Sequence, residues 1–305
     1  MEQKATTQYR RAKTWQLIAA PANACIPTMF IILMTFASYV ATGVYGLTTV
    51  LAGTIITGTR VFDAVTDPLI GLWCDRFESR FGRARPFSWL GWIIMSLCVF
   101  SMFNLGLGGG TGLVNTLIFI GIYLVYIIGY TIFNIGSGLV QPIMSNDPKQ
   151  RPILARWQTV YTTVLSSCMS IVLAATLMPK HNYQMGLPLF ADLCVMVIAA
   201  SAVLMIITHV AVTSAKVDVP ETYVNLKKEP IKIKDAIDLI LHNRNLQMYT
   251  VAAASDKLAL QTASNSAITV MIFGIIIGNY SFNADLTFIN MFVTRALLLF
   301  FASRL

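Results

Sequence analysis

Eight long apolar runs, separated by short polar stretches, constrain this 305-residue chain more than any other feature. A helix needs about 20 mostly apolar residues to cross about 30 Å of hydrocarbon. The qualifying segments are roughly 14–39, 47–74, 86–107, 113–141, 152–178, 188–212, 246–278 and 284–303. Pro21, Pro27, Pro68 and Pro142 lie inside or at the ends of these runs, where neighbouring helices can satisfy the freed carbonyls. Only 12% of residues are charged, about half the share of a soluble domain. That is too little polar surface to cover a water-soluble globule, so the fold class is an all-α membrane protein with about eight transmembrane helices.

The formal net charge of +8 raises the question of nucleic acid, but the basic residues fall between apolar runs and build no basic–aromatic face, so no nucleic-acid partner is expected. Retention of positive charge on the cytoplasmic side explains them instead. With the N-terminus inside, the cytoplasmic segments hold Lys4, Arg10, Arg11, Lys13, Arg76, Arg80, Arg83, Arg85, Lys149, Arg151, Arg156, Lys216, Lys227, Lys228, Lys232, Lys234, Arg244 and Arg304. Lys180 falls outside, and Arg60, Lys257 and Arg295 fall within spans. The expectation is a multi-pass protein of the cell membrane with a cytoplasmic N-terminus and the bilayer as its surroundings. No secretory signal is expected, because Met1–Lys13 is polar and basic and the first apolar run has no convincing cleavage site. Cys25, Cys74, Cys98, Cys168 and Cys194 lie singly, which suits neither a zinc site nor a disulfide framework.

Six spans over residues 1–212 form an N-terminal bundle, a basic linker covers 213–245, and 246–305 supplies two further helices of an incomplete second bundle. Within the linker, Ile231, Ile233, Ile237, Leu239, Ile240 and Leu241 alternate with Lys and Asp, which suggests an amphipathic helix on the inner membrane surface. Six helices plus two resemble a twelve-helix carrier without its last third.

Span two holds Arg60, Asp63 and Asp67, although each charge in a bilayer costs about 2.5–3.5 kcal/mol on insertion scales. Spacings of three and four residues put all three on one helical face. Two carboxylates on adjacent turns can converge on one cation or share a proton, and Arg60 can neutralise them when the site is empty. Such a group suits a coupling site; the plainer alternative is an ion-pair cluster that only joins helices. At the end of the same span, Asp75, Arg76, Arg83 and Arg85 flank a short glycine-containing loop that can exchange salt bridges between two conformations and also anchors the inner face. Asp256 and Lys257 form another intramembrane charged pair, suited either to solute contact or to an interhelical bridge, and Arg295 is similarly open.

Other features receive structural readings. Trp15, Trp73, Trp89, Trp92 and Trp157 are expected to anchor span ends at the interface. His181, His209 and His242 are expected to be isolated, and Gly53 and Gly58 to permit close helix packing. The glycine-rich stretch 106–112 is an external turn without an adjacent lysine, so no phosphate loop is expected.

The run from Arg60 to Pro86 reads R-x-x-D-A-x-x-D-P-x-x-G, then D, then S-R-x-G-R-x-R-P. It resembles the second helix and following loop of the glycoside–pentoside–hexuronide:cation symporters, the melibiose permease-like family of the major facilitator superfamily. Weaker similarity extends over most of the chain, including Tyr130-Thr131-Ile132-Phe133-Asn134-Ile135 and Arg156. The resemblance implies a major facilitator-type bundle with alternating access. It implies a cation site from Asp63, Asp67, Thr66 and Thr131, with Asp63 and Asp67 holding the metal if the coupling ion is sodium. The solute side departs from the family pattern. A span-four carboxylate and an aromatic fall at Asn134 and Gly138, Asn23 lies near the place of a span-one carboxylate, and Arg156 matches a solute-reaching arginine. A more positive cavity follows, which favours an anionic glycoside such as a hexuronide.

The expected function is therefore symport of a sugar, glycoside or hexuronide with Na⁺ or H⁺, with no cofactor beyond the coupling ion and no enzymatic activity. The alternatives are a non-transporting remnant of such a carrier and a membrane-embedded enzyme acting on lipid-linked sugars. The latter would need a metal or nucleophile cluster, and the spacing of His, Asp and Ser supplies none.

Overall fold

The computed structural model describes residues 11–77, 79–105, 112–182, 186–219, 238–239 and 241–263, with Ile276, Ile289 and Val293. The described part is mostly helical, with no strand among the described residues, as the apolar runs require. The chain separates into two compact units, Met1–Val224 and Asn225–Leu305.

The first apolar run is not one uniform helix. It comprises α1 (Thr14–Ala19), a 3-10 stretch (Ala20–Cys25), α2 (Ile26–Met34) and α3 (Ala37–Gly43). Pro21 and Pro27 each lack an N–H, and so interrupt the i→i−4 ladder at the points where the 3-10 stretch and α2 begin. A hydroxyl from another helix patches the gap: Thr208 Oγ1 accepts from Asn23 N at 3.0 Å and approaches the Ala20 carbonyl at 3.4 Å.

The second run is α4 (Thr49–Arg76), N-capped by Thr48, whose hydroxyl accepts from Leu51 N. Its 28 residues extend about 42 Å at 1.5 Å per residue, and Pro68 is accommodated inside it. The remaining helices of the unit are α5 (Ala84–Asn104), α6 (Gly112–Met144), α7 (Arg151–Val172), the short α8 (Met178–Lys180) and α9 (Leu187–Ala215). A five-residue π stretch, Leu173–Leu177, joins α7 to α8. Thr14–Gly43, α5, α6 and α9 are each long and apolar enough to cross a membrane. In α4 the length suffices, and the charges of Arg60, Asp63 and Asp67 make it the polar exception.

The core of the unit joins the first run, α5, α6 and α9 through Phe30, Tyr45, Met95, Phe119, Phe133 and Phe190, all buried. In lipid the gain comes from close van der Waals contact, which favours small residues at helix crossings. The α5–α6 crossing shows this. A side chain at Gly91 would collide with the Phe133 backbone, and one at Gly136 would lie 2.5 Å from Ser88 N. Gly53 and Gly58, read above as packing residues, meet nothing within 4 Å. Sequence alone did not distinguish a glycine at a crossing from one on an open face.

α9 continues to Ala215, and Lys216 closes it in the left-handed conformation at φ 50°. The first residues assigned to the linker thus belong to the bundle. In the second unit the described helix is α10 (Arg244–Ala263). The expected amphipathic stretch 231–237, the remainder of span seven beyond 263 and most of span eight lie outside the described residues.

Candidate functional site

The charged face of α4 rests against α6. Thr131 Oγ1 on α6 donates to Asp67 Oδ1 at 2.7 Å. One turn earlier, Arg60 Nη1 lies 3.6 Å from Asp63 Oδ2, while Asp63 Oδ1 is buried without a hydrogen-bond partner. Thr66, between the two acids, donates to the Phe62 carbonyl at 3.0 Å, which leaves its oxygen lone pairs as acceptors. The apolar residues Val61, Val65 and Leu69 are 70%, 60% and 57% exposed, and at about 100° per residue they lie roughly 120–160° around the helix from the acids. The acids therefore lie away from the outward apolar stripe, with Asp63 half-buried and Asp67 exposed beside Thr131.

Tyrosines of α6 border the same place. Tyr45, Phe119, Tyr123, Tyr126 and Tyr130 form a ladder with ring centroids 5.4, 5.8, 6.2 and 6.2 Å apart. Their spacing of three and four residues was present in the sequence, but a Tyr row at helical spacing resembles an ordinary core stripe.

The expected solute residues are dispersed. Asn134 is exposed, with its Nδ2 donating to the Tyr130 carbonyl at 2.9 Å, and Gly138 faces open space. Asn23 is 1% exposed, and its Nδ2 has no partner. It borders a small, half-open crevice with Arg85, Ser88, Thr208 and His209. Arg156 is exposed on α7 and Asp256 on α10, while the side chain of Lys257 and all of Arg295 lie outside the described residues. A concavity of about 540 Å³ lined by residues of 238–245 contains none of these groups.

The loop after α4 is organised by a residue that the motif did not include. Asp218, just past α9, is fully buried. Its Oδ1 accepts from Arg83 N at 3.0 Å and Ala84 N at 3.3 Å, and its Oδ2 accepts from Arg85 N at 2.9 Å and Arg85 Nε at 3.1 Å. Arg85 Nη2 returns to the Asp218 carbonyl at 2.6 Å. Asp218 thereby caps the N-terminus of α5, a task that the preceding Gly82-Arg83 cannot perform through a side chain. Gly82 has φ +79°, and a Cβ there would collide with the Asp218 carboxylate, so only glycine fits. Asp75 and Arg76 are exposed.

A second acid, Asp147, ties the chain entrance to the α6–α7 loop. Arg11 Nε lies 2.7 Å from Asp147 Oδ2, and Lys149 N donates to Oδ1 at 2.9 Å. The Lys149 N–H and, beside it, the Arg11 guanidinium hold the Asp147 carboxyl below the usual carboxylate range.

Three expectations about aromatic and basic residues change. Trp89 Nε1 donates to His209 Nδ1 at 3.0 Å and Trp92 Nε1 to Ser201 Oγ at 2.9 Å, so both bind α5 to α9 instead of serving only as interfacial anchors. His181 Nε2 and Lys180 Nζ both reach Asp192 Oδ2, at 3.0 and 2.6 Å. His242 Nδ1 lies 3.2 Å from Asp238 Oδ1. The three histidines are therefore not isolated: His209 meets Trp89 120 positions away, His181 meets Asp192 11 positions away, and His242 meets Asp238 one helical turn away.

Comparison with known proteins adds the lineage. A family model described as MFS/sugar transport protein matches residues 17–305. Similar curated proteins include the inner membrane symporter YicJ of Escherichia coli (strain K12), 28% identical over 202 residues, 64% of this chain and 42% of the relative. The lactose permease of Lactobacillus delbrueckii subsp. bulgaricus is 31% identical over 121 residues, 39% of this chain and 19% of the relative. The isoprimeverose transporter of Lactiplantibacillus pentosus is 25% identical over 147 residues, 47% of this chain and 29% of the relative. The matched region spans less than half the length of each of these relatives.

Proposed function

We propose, from the premise that this chain belongs to the MFS/sugar transport protein family, that it couples movement of a sugar-class solute to a cation bound between Asp63 and Asp67. The family is one of transporters, and the apolar helices are those of a multi-pass membrane protein. The observation that carries the reading is the incomplete coordination of the acidic pair. Asp63 Oδ1 is buried without a partner, Asp67 has one donor from Thr131, and Thr66 keeps its oxygen lone pairs one residue from Asp67. Oxygens of this kind suit a hard monovalent cation or a shared proton.

In this reading Arg60 compensates the pair between cation cycles. Its contact with Asp63 is long at 3.6 Å and half-exposed, so an arriving cation competes against a weak ion pair. In this reading the solute passes the exposed α6 face at Asn134 and Gly138, with Arg156 of α7 as a further contact. A sugar or glycoside fits the names of the relatives, and a hexuronide fits the positive residues retained. Arg83 and Arg85 hold the inner loop, with Asp75 and Arg76 beside it, on the side that the basic residues assign to the cytoplasm.

The test is uptake in proteoliposomes under an imposed Na⁺ or H⁺ gradient. Gradient-dependent accumulation of a glycoside by the wild-type protein, lost in Asp63→Asn and in Asp67→Asn while thermal unfolding stays cooperative, is the expected result. Normal accumulation by both variants overturns the cation site. No uptake by a folded wild-type protein favours the non-transporting alternative.

A further inference from the structure

The two halves of α6 expose opposite kinds of surface. Its first half presents Leu113, Leu117 and Val125, all exposed and apolar, whereas its second half presents Asn134 and Gly138. Val125 and Asn134 are nine residues apart and so point about 180° apart. A polar stripe on a membrane helix is costly against acyl chains, so the second face turns to a solvated or protein-lined space. Gln141 continues that stripe two turns beyond Asn134. It is half-buried, and its Nε2 donates to Oε1 of Gln158 on α7, also half-buried.

That bond uses one donor of Gln141 and the acceptor of Gln158. No further hydrogen bond of Gln141 Oε1 or Gln158 Nε2 is found among the described residues. The amide pair therefore retains one acceptor and one donor side by side, and interchanging amide O and N leaves the same complement. A hydroxyl both donates and accepts, so one hydroxyl inserted between the two groups satisfies both. A carboxylate only accepts, and would confront the Gln141 oxygen. Space for a ring is present one turn away, where a side chain at Gly138 would meet nothing within 4 Å.

We propose that Gln141 and Gln158 form a hydroxyl-reading subsite on the solute path, which selects an uncharged glycoside over a uronide. This deepens the carrier reading and rests on it. Gln141 lies ten residues along α6 from Thr131, about 15 Å at 1.5 Å per residue, and the subsite shares no ligand with the cation pair, so the two functions separate on mutation.

The experiment measures equilibrium binding of 4-nitrophenyl β-D-xyloside, β-D-glucoside and β-D-glucuronide to the purified protein in nanodiscs. A parallel measurement follows the Na⁺- and pH-dependent shift of its unfolding temperature. The double variant Gln141→Leu/Gln158→Leu replaces both partners by apolar groups of similar size, a change that leaves folding nearly neutral. The expected result is that a neutral glycoside binds the wild-type protein most tightly. The double variant then loses about tenfold to a hundredfold in its affinity, while the cation-dependent shift and glucuronide binding stay unchanged. Unchanged neutral-glycoside affinity in the double variant, or tightest wild-type binding of the glucuronide, overturns the subsite and leaves the carrier reading standing. Failure of the wild-type protein to bind any of the three, with no cation-dependent shift, overturns both.

Discussion

Two acidic sites in this bundle use the same chemistry to opposite ends. Asp218, at the basic end, is fully buried and has both oxygens saturated by backbone N–H groups and the Arg85 guanidinium. Asp63, within α4, has one oxygen in a 3.6 Å ion pair and the other without a partner. A saturated buried carboxylate holds structure, because removing it leaves several donors unsatisfied. An under-coordinated one carries a standing cost that a cation or proton relieves, and that cost is the driving force for binding. On the proposed reading, the number of oxygen lone pairs left unfilled, more than burial or charge, separates a fastener such as Asp218 from a binding group such as Asp63.

Mutations can break this distinction, and the largest effect is expected on transport. Asp63→Asn should lower gradient-driven accumulation by about a hundredfold or more, since the neutral amide removes the charge that holds the ion, while the unfolding temperature changes little. Uptake into proteoliposomes beside a thermal melt reads both arms. Asp218→Ala should give the converse: a loss of about 3–5 kcal/mol of stability, the range for breaking a buried ion pair, with the cation-dependent thermal shift retained. If Asp218→Ala instead abolishes the cation response in protein that remains folded, the division into fastener and binder is wrong.

Gly82→Ala sharpens the structural side. The methyl group meets the Asp218 carboxylate and a φ of +79° disfavours it, so a loss of about 1–3 kcal/mol is expected in denaturant titration. Thr131→Val tests the intermediate case, a carboxylate with one donor. Losing a hydrogen bond to a charged group is worth about 1.5–3 kcal/mol, so apparent cation affinity should fall roughly tenfold to a hundredfold, read from the salt dependence of the melt.

The smallest effect concerns Asp147, a fastener between the chain entrance and the α6–α7 loop. Its carboxyl lies below the ordinary value, so the stability it supplies is present above the unfolded-state pKa of about 3.8 and disappears as pH falls through the folded value. The gap in unfolding temperature between wild type and Asp147→Asn should stay constant from about pH 7 to pH 5 and close only below about pH 4. A gap that closes near neutrality would show that another group titrates.

Much of this was legible in the residues. The apolar lengths announced the helices from Thr14 to Ala215, and the three- and four-residue spacing of Arg60, Asp63 and Asp67 announced their common face. The resemblance of the Arg60–Pro86 run pointed to the same lineage as the family model that matches residues 17–305. Misread features share one cause. Trp89 and His209 stand 120 positions apart and became partners only when α5 met α9. The burial of Asn23 likewise became visible only when the packing of the broken first span carried it into the bundle.

Hydropathy and helical period are local properties, readable within a window of one or two turns, so this sequence by itself determined the helices, their membrane character and the charged face of α4. Coordination is not local: the donor to Asp67 lies 64 positions away and those to Asp218 lie 133 to 135 positions away. Only the tertiary structure decided which carboxylate is filled and which is left open, because hydrogen bonds require atoms within about 3 Å, and helix packing alone brings such distant atoms that close.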